Sequence, residues 1–373
     1  MSGRKPRICV LTARGFSHEA FMTGTYEAQD ILAEIDDVEL IYLTPRRGYE
    51  FRQRTQTRLV WHDFTKSLVF ANTAFETIKL TKEYDLLVAY LPNQIDHLLH
   101  VAAVRGWKNY CRTSVCWIDE IYAVDIPKIK YWLPALTQFD HVVVGYRGSV
   151  TALAQAIKRP CHWIPSGVDA VRFTPSPRFA DRVIDIYSMG RRSEILHRAL
   201  LDLTAKNSMF YLYDTFVTSL TNISDYKQHR DMLANIMKRT RYFTVAPAKG
   251  GAPEATGNQI ELGYRYYEGA AAGTVMLGQI PRCEAFETMF NWQDAVVEIN
   301  ADGSDIANVI SILADQPERL IEISRRNTVQ ALLRHDWAYR WKKILEIANL
   351  EPAPQLKSRE NRLKQLAERA GNS

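Results

Sequence analysis

Arg265-Tyr266-Tyr267-Glu268-Gly269-Ala270-Ala271-Ala272-Gly273-Thr274-Val275-Met276-Leu277-Gly278 is the stretch on which the fold is decided. A charged pair, two aromatics and a run of small residues come first. Gly273 then interrupts, and a β-branched, apolar run follows. The pattern reads as helix, tight turn and buried strand. Ala270, Ala271 and Ala272 favour helix and add little bulk, so another segment or a ligand can approach the backbone closely. Glu268 falls near the expected helix start, where a carboxylate can accept two hydroxyl hydrogen bonds, as a ribose would offer. The same residues suit an ordinary helix packed on a parallel sheet, with Glu268 complementing the helix dipole.

Upstream, Val183 to Gly190 reads as a strand delivering Gly190, Arg191 and Arg192 to a helix over 193–206. Backbone N–H groups and guanidinium forks at such a place favour a phosphate. Met209 to Tyr213 and Tyr242 to Pro247 read as further strands, the second ending in Ala248-Lys249-Gly250-Gly251. Lys249 there can close over a diphosphate as a point charge. Arg265 stands within one helical turn of Glu268, so it pairs with that carboxylate or turns toward phosphate. Downstream, Ala295 to Ile299 reads as a strand, and 304–314 and the Trp-rich Asp336 to Leu345 as helices.

The first half alternates in the same way. Arg7 to Ala13, Val38 to Leu43, Tyr84 to Leu91, Ser114 to Ile118 and His141 to Gly145 read as near-continuous apolar strands, with helices over 21–35 and 95–105. Strands of this kind belong to a parallel sheet covered on both faces, with ligands outside the strands' carboxyl ends. The residues at those ends are Gly15 and His18 after the first strand, and Asp119 and Glu120 after the Ser114–Ile118 run. His18 can polarise a hydroxyl, and Asp119 or Glu120 can bind acceptor hydroxyls or face a developing positive charge. His97 and His100 lie at helical spacing, but no carboxylate cluster accompanies them, so packing is expected rather than a metal. No Gly-x-Gly occurs, which disfavours a dinucleotide dehydrogenase. Ile164-Pro165-Ser166-Gly167-Val168-Asp169 and Phe173-Thr174-Pro175 mark a domain crossing.

Two of these segments resemble the GT-B nucleotide-sugar glycosyltransferases, the large retaining family with a Glu-x7-Glu motif. In 265–277, Glu268 occupies the place of the second Glu, which holds the ribose. Glu261 stands one position from the spacing of the first Glu, a place held here by Ile260. Pro165, Gly167-Val168-Asp169 and Phe173-Thr174-Pro175 match the family's interdomain segment. The resemblance implies an α/β chain with two Rossmann-like domains facing each other across a cleft and a C-terminal helix crossing back. Residues 1–168 would be the acceptor domain, 169–335 the donor domain, 336–350 the crossing helix and 351–373 a charged tail. It implies that Gly190, Arg191, Lys249, Glu261, Arg265, Tyr267 and Glu268 bind the donor, with Gly15 and Glu120 on the acceptor side and Asp119 and His18 as catalytic candidates. The donor is expected to be a UDP-sugar or GDP-sugar used as substrate, with no cofactor and no metal, there being no Asp-x-Asp in the chain. The acceptor would be a glycan, a lipid-linked hydroxyl or, less favoured, nucleic acid. An epimerase or phosphorylase of the same fold and a non-catalytic nucleotide-sugar binder are the alternatives. Glu268→Ala is expected to remove any response to nucleotide while leaving the unliganded melting point nearly unchanged.

Composition sets the outer bounds. With 373 residues the chain exceeds one ordinary core, and 46% hydrophobic with 24% charged residues are globular values. A net charge of +5 helps attract phosphate or an anionic surface without reaching the density of a dedicated nucleic-acid binder. Five cysteines with no Cys-x-x-Cys read as reduced thiols, so a cytoplasmic location is expected. The tail with Lys357, Arg359, Arg362, Lys364 and Arg369 reads as a solvated helix, or as a weak contact with a partner or with the membrane's inner face.

Overall fold

The computed structural model describes residues 7–92, 95–175, 182–190, 193–207, 209–215 and 222–372. The chain forms two compact units. Unit 1 comprises Met1–His18, Gln29–Pro165 and Arg340–Lys357; unit 2 comprises Glu19–Ala28, Ser166–Tyr339 and Ser358–Ser373.

Unit 1 is built on β1 (Ile8–Thr12), β2 (Val38–Tyr42), β4 (Tyr84–Leu91), β6 (Cys111–Ile118), β7 (His141–Val144) and β8 (Cys161–Trp163), in the order β2-β1-β4-β6-β7-β8. All five pairings are parallel. β4 is buried at every residue except Asp85, as a strand covered on both faces requires. Tyr90 stacks on Trp117 at 4.6 Å between ring centroids, and Trp341, from the returning segment, packs edge-on against Trp117.

The expected helix over 95–105 is replaced by a turn at Ile95–His97, one helical turn at Leu98–Val101, and a strand. That strand, β5 (Val104–Arg105), pairs in parallel with β3 (Ile78–Lys79), and Ile78 N–H donates to the Ala103 carbonyl at 2.8 Å. The β-branched Val104 gains a ladder partner there that a helix would deny it. A helix that the alternating pattern does not announce runs over Tyr49–Val60. Its Arg, Gln and Leu residues are good helix formers. The buried Gln56 ties it down, its Nε2 donating to the carbonyls of Leu68 and Ala71 at 2.7 Å each.

Unit 2 holds β9 (Ile184–Ser188), β10 (Tyr211–Tyr213), β11 (Thr240–Val245), β12 (Val275–Gly278) and β13 (Val297–Glu298), ordered β10-β9-β11-β12-β13 and parallel throughout. The deciding stretch forms a helix at Tyr264–Ala271, a left-handed Gly273 with φ +62°, and β12. A Cβ on Gly269 would lie 2.7 Å from Met276 Sδ and 3.1 Å from the Phe243 ring. Only glycine lets this helix sit so close to the sheet.

The Gly167-Val168-Asp169 segment is bound into unit 2 as well. Val168 N–H donates to the His335 carbonyl at 3.0 Å and Trp337 N–H to the Val168 carbonyl at 3.1 Å. A Cβ on Gly167 would come within 2.9 Å of the Trp337 ring. The tail is a helix over Pro354–Gly371 and is not solvated all round: Leu356, Arg359, Leu363 and Ala367 are buried. Arg359 reaches Asp336 with Nε at 2.9 Å and Asp169 with Nη2 at 2.8 Å. The basic tail is therefore partly committed to an internal ion pair, which a count of charges along the sequence does not reveal.

Candidate functional site

The carboxyl end of β9 and the helix Tyr264–Ala271 bring three of the donor-side candidates together, Gly190, Arg265 and Glu268. β9 ends just before Gly190, whose φ of +80° is left-handed. Its N–H donates to Asp214 Oδ2 at 2.5 Å. The Arg265 guanidinium lies beside it, 3.7 Å from where a Gly190 Cβ would stand. Arg191 lies outside the described residues.

Glu268 is not in the first turn of its helix, which starts at Tyr264, and it is only 1% exposed. An isolated carboxylate buried so deeply would be costly. Two guanidinium groups hold it: Arg230 Nη1 donates to Oε1, and Arg265 Nη1 donates to Oε2 at 2.5 Å. Burial alone would raise its pKa, but the charges of Arg265 and Arg230 and their hydrogen bonds hold it below the ordinary carboxylate value.

Arg230, from the helix Tyr226–Lys238, is itself a bridge. Its Nε and Nη2 reach both oxygens of Glu27, at 2.8 and 3.0 Å, and its guanidinium carbon sits 4.8 Å from the Phe173 ring centroid. Desolvation disfavours its charge, yet Glu27 and Glu268 more than compensate and raise its pKa. Glu27 also accepts from Asp169 N–H at 2.9 Å and Trp337 Nε1 at 3.1 Å. The Gly-Val-Asp and Phe-x-Pro segment thus has a physical task, since Asp169 and Phe173 brace the chain of charges Glu27–Arg230–Glu268–Arg265.

Two further groups face this chain of charges. Burial pushes the Tyr187 hydroxyl up to about 12, with Arg265 opposing and Asp214 and Glu268 adding to the rise. His229 is lowered, first by desolvation and then by the charges of Arg230 and Arg265, with Glu268 acting the other way.

The remaining candidates are placed as follows. Lys249 follows β11 with a left-handed φ of 58° beside Gly250 at 63°, a tight turn whose Ala248 N–H donates to the Glu261 carbonyl at 2.9 Å. Glu261 is buried and its carboxylate accepts from Gln259 Nε2 at 2.7 Å. Tyr267 is buried, its ring packed at right angles to His335 with centroids 5.1 Å apart. Its ring therefore belongs to the core of unit 2.

In unit 1, His18 and Gly15 follow β1 and are exposed, while Asp119, buried, and Glu120 follow β6. β4 separates the two strands, so these loops lie at one end of the sheet, roughly 10 Å apart at two interstrand spacings. A Cβ on Gly15 would meet only the Leu43 carbonyl at an ordinary 3.6 Å, so the backbone there makes no demand for glycine. Tyr146 stands close to Asp119 and Glu120 electrostatically: burial raises its hydroxyl pKa, and the Glu120, Tyr122 and Asp119 charges add to the rise. The His97 and His100 rings stack at 4.5 Å inside an aromatic cluster with Phe16 and Phe75. Among the described residues no group of three or more His, Cys, Asp or Glu could hold a metal ion, and no helix is long and apolar enough to cross a membrane.

The pairing of Glu268 with Arg265 was legible from their spacing. Glu27, Arg230 and His229 were not singled out, although a Glu and a His-Arg pair on helices are visible as residues. Nothing local announces that Glu27 and Arg230, 203 positions apart, will meet.

Comparison with known proteins bears on the fold. No curated protein sequence matches the chain. The crystal structure of Anabaena HepE in complex with UDP-glucose superimposes with a TM-score of 0.52 at 14% identity, covering 92% of this chain and 99% of that one. An α-glucosyltransferase in complex with UDP-glucose and DNA containing an abasic site gives a TM-score of 0.55 at 10% identity, with the same coverage of 92% and 99%. Residues 208–346 match the family model described as glycosyl transferase-like. The chain has the GT-B fold of two Rossmann-like domains, and its second half carries a glycosyl transferase-like region, as the resemblance at Arg265–Leu277 implied.

Proposed function

We propose that this chain is a glycosyltransferase that takes a nucleoside-diphosphate sugar, in the first instance a UDP-sugar, and passes the sugar to a hydroxyl acceptor. The observation that carries the reading is the Arg265–Glu268 pair beside the left-handed Gly190 at the carboxyl end of β9. Each Glu268 oxygen accepts one guanidinium hydrogen bond and retains a lone pair for a ribose hydroxyl. Arg265 is 30% exposed in its side chain against 3% for Arg230, so it is the cation that can turn to the diphosphate while Arg230 keeps Glu268 in place.

The charge that develops on the departing diphosphate is assigned to Arg265, Lys249 and Arg191, with the backbone N–H groups after β9. Preorganised cations of this kind serve a leaving anion without a metal. The acceptor is assigned to the strand ends of unit 1, with Asp119, His18 and Glu120 as the groups that meet its hydroxyls. Retention of anomeric configuration follows from the family that the sequence resembles. The α-glucosyltransferase cited above was solved with DNA, and a DNA acceptor for this chain would show as transfer that falls steeply with salt.

The test is a melting-temperature screen against UDP, GDP and their sugars, followed by an assay of nucleotide release with and without chelator. Ligand at 100 times Kd stabilises by roughly 2.7 kcal/mol, a readable shift. Stabilisation by one nucleotide diphosphate and slow, chelator-insensitive release of it from its sugar are expected. No stabilisation by any of them would overturn the reading, and conversion of the sugar without nucleotide release would transfer it to the epimerase alternative.

A further inference from the structure

The large apolar side chains that unit 1 leaves exposed are concentrated in one segment. Phe51, Leu59, Trp61, Phe64 and Phe70 all fall in the helix Tyr49–Val60 and the turns that follow, with Phe64 at 101% and Phe51 at 75% exposure. Phe51 and Arg58 stand two turns apart on one stripe of that helix, turned away from Gln56 and Val60, which the core takes. Residues 46–70 carry six Lys and Arg against two acidic residues, close to the whole chain's formal excess of +5. Lys66 and Lys130 both stand over the Tyr131 ring, at 5.9 and 4.6 Å, and extend the cationic area. Next to it, a cavity of about 300 Å³ is lined by Phe70, Val101, Trp107 and Phe139 together with Arg105 and Lys108.

We infer that this face of unit 1 docks on an anionic lipid surface, the aromatic side chains entering the headgroup layer and the arginines meeting the lipid charges. Aromatic and aliphatic side chains projecting fully into water, ringed by cations, match that layer in both polarity and charge. A second copy of the chain fits less well, because two such faces would bring like charges together. A single nucleic-acid strand is served by a cationic groove with aromatic platforms, whereas Phe64 and Phe51 project outward. The face shares no residue with the donor site of unit 2, so failure of either reading leaves the other standing.

The experiment is co-sedimentation of the full chain with vesicles of phosphatidylcholine alone or phosphatidylcholine with phosphatidylglycerol, at low and high salt. Binding to the phosphatidylglycerol vesicles, weakened by salt, is expected. Arg54→Glu with Arg58→Glu should weaken it about 30-fold or more, given the roughly fivefold that each cation contributes beside an anionic leaflet. Phe51→Ser with Phe64→Ser should weaken it as well, with unchanged melting temperature because both side chains are exposed. Absence of vesicle binding, or binding that both double variants retain, would overturn the inference. So would a dimer that Phe51→Ser with Phe64→Ser dissociates, or retention of single-stranded DNA that the variants abolish, if vesicles are not bound.

Discussion

Glu268 sits between two arginines, and that fact changes what its removal should do. Glu268→Ala or Glu268→Gln takes one partner from the buried Arg230, which keeps Glu27, and one from Arg265, which is 30% exposed; leaving a buried donor unsatisfied costs about 1–3 kcal/mol. Chemical denaturation should show that loss, so the expectation of an unchanged melting point falls to the burial of the site. The pH dependence has a definite sign. Because the folded pKa of Glu268 lies below its ordinary value, its contribution is full above the unfolded pKa of about 4.3 and is lost as pH falls from there through the folded value. Unfolding free energy measured against pH should drop on that acid limb, and Glu268→Gln should flatten the drop. An equally steep limb in the variant would place the acid sensitivity elsewhere. His229 adds a second pH effect: lowered by burial and by Arg230 and Arg265, it should take up a proton when a diphosphate arrives. UDP binding is then expected to strengthen as pH falls through the range below about 6.5, with proton uptake measurable by calorimetry in buffers of different ionisation heat.

At the scale of the element, the deciding stretch was readable because each step in it is local. Gly273 ends a helix, Thr274 to Gly278 is apolar, and three alanines keep the contact thin. What the residues do not state is the partner across the contact, here Met276 and Phe243 against Gly269. Gly269→Ala should therefore destabilise by about 1–3 kcal/mol through overpacking, although alanine is the better helix former. Met276→Ala should cost less in the Gly269→Ala background than in the natural chain, and thermal unfolding of the two single variants and the double variant checks it. The Tyr49–Val60 helix was illegible for the opposite reason: with Gln56 and Val60 its buried residues, it offers no apolar period to read. The helix expected over 95–105 failed because β5 is decided by Ile78 on a distant segment.

For the whole molecule, sequence order and spatial membership part company in unit 2. The Pro-rich crossing at 165–175 is visible in the sequence, and 169–335 is the donor domain it implies. Yet Glu27, from the start of the chain, and Arg359, from its end, are both built into unit 2, through Arg230 and through Asp169 with Asp336. A fragment of 169–335 would strip Arg230 of Glu27 and Asp169 of Arg359. It should show no cooperative melting transition, whereas the full chain should; a cooperatively folded fragment would contradict the weight given to those charges.

The most direct measurement is isothermal titration of UDP into the full chain and into Arg265→Met. Arg230 still holds Glu268 in that variant, so the fold should persist, while the loss of one charge-assisted contact of about 1.5–3 kcal/mol should weaken UDP binding by roughly 10- to 100-fold. Saturable binding to the natural chain with that loss in the variant is the predicted result. No saturable heat, or equal affinity in the two proteins, would contradict a nucleotide site at Arg265 and Glu268.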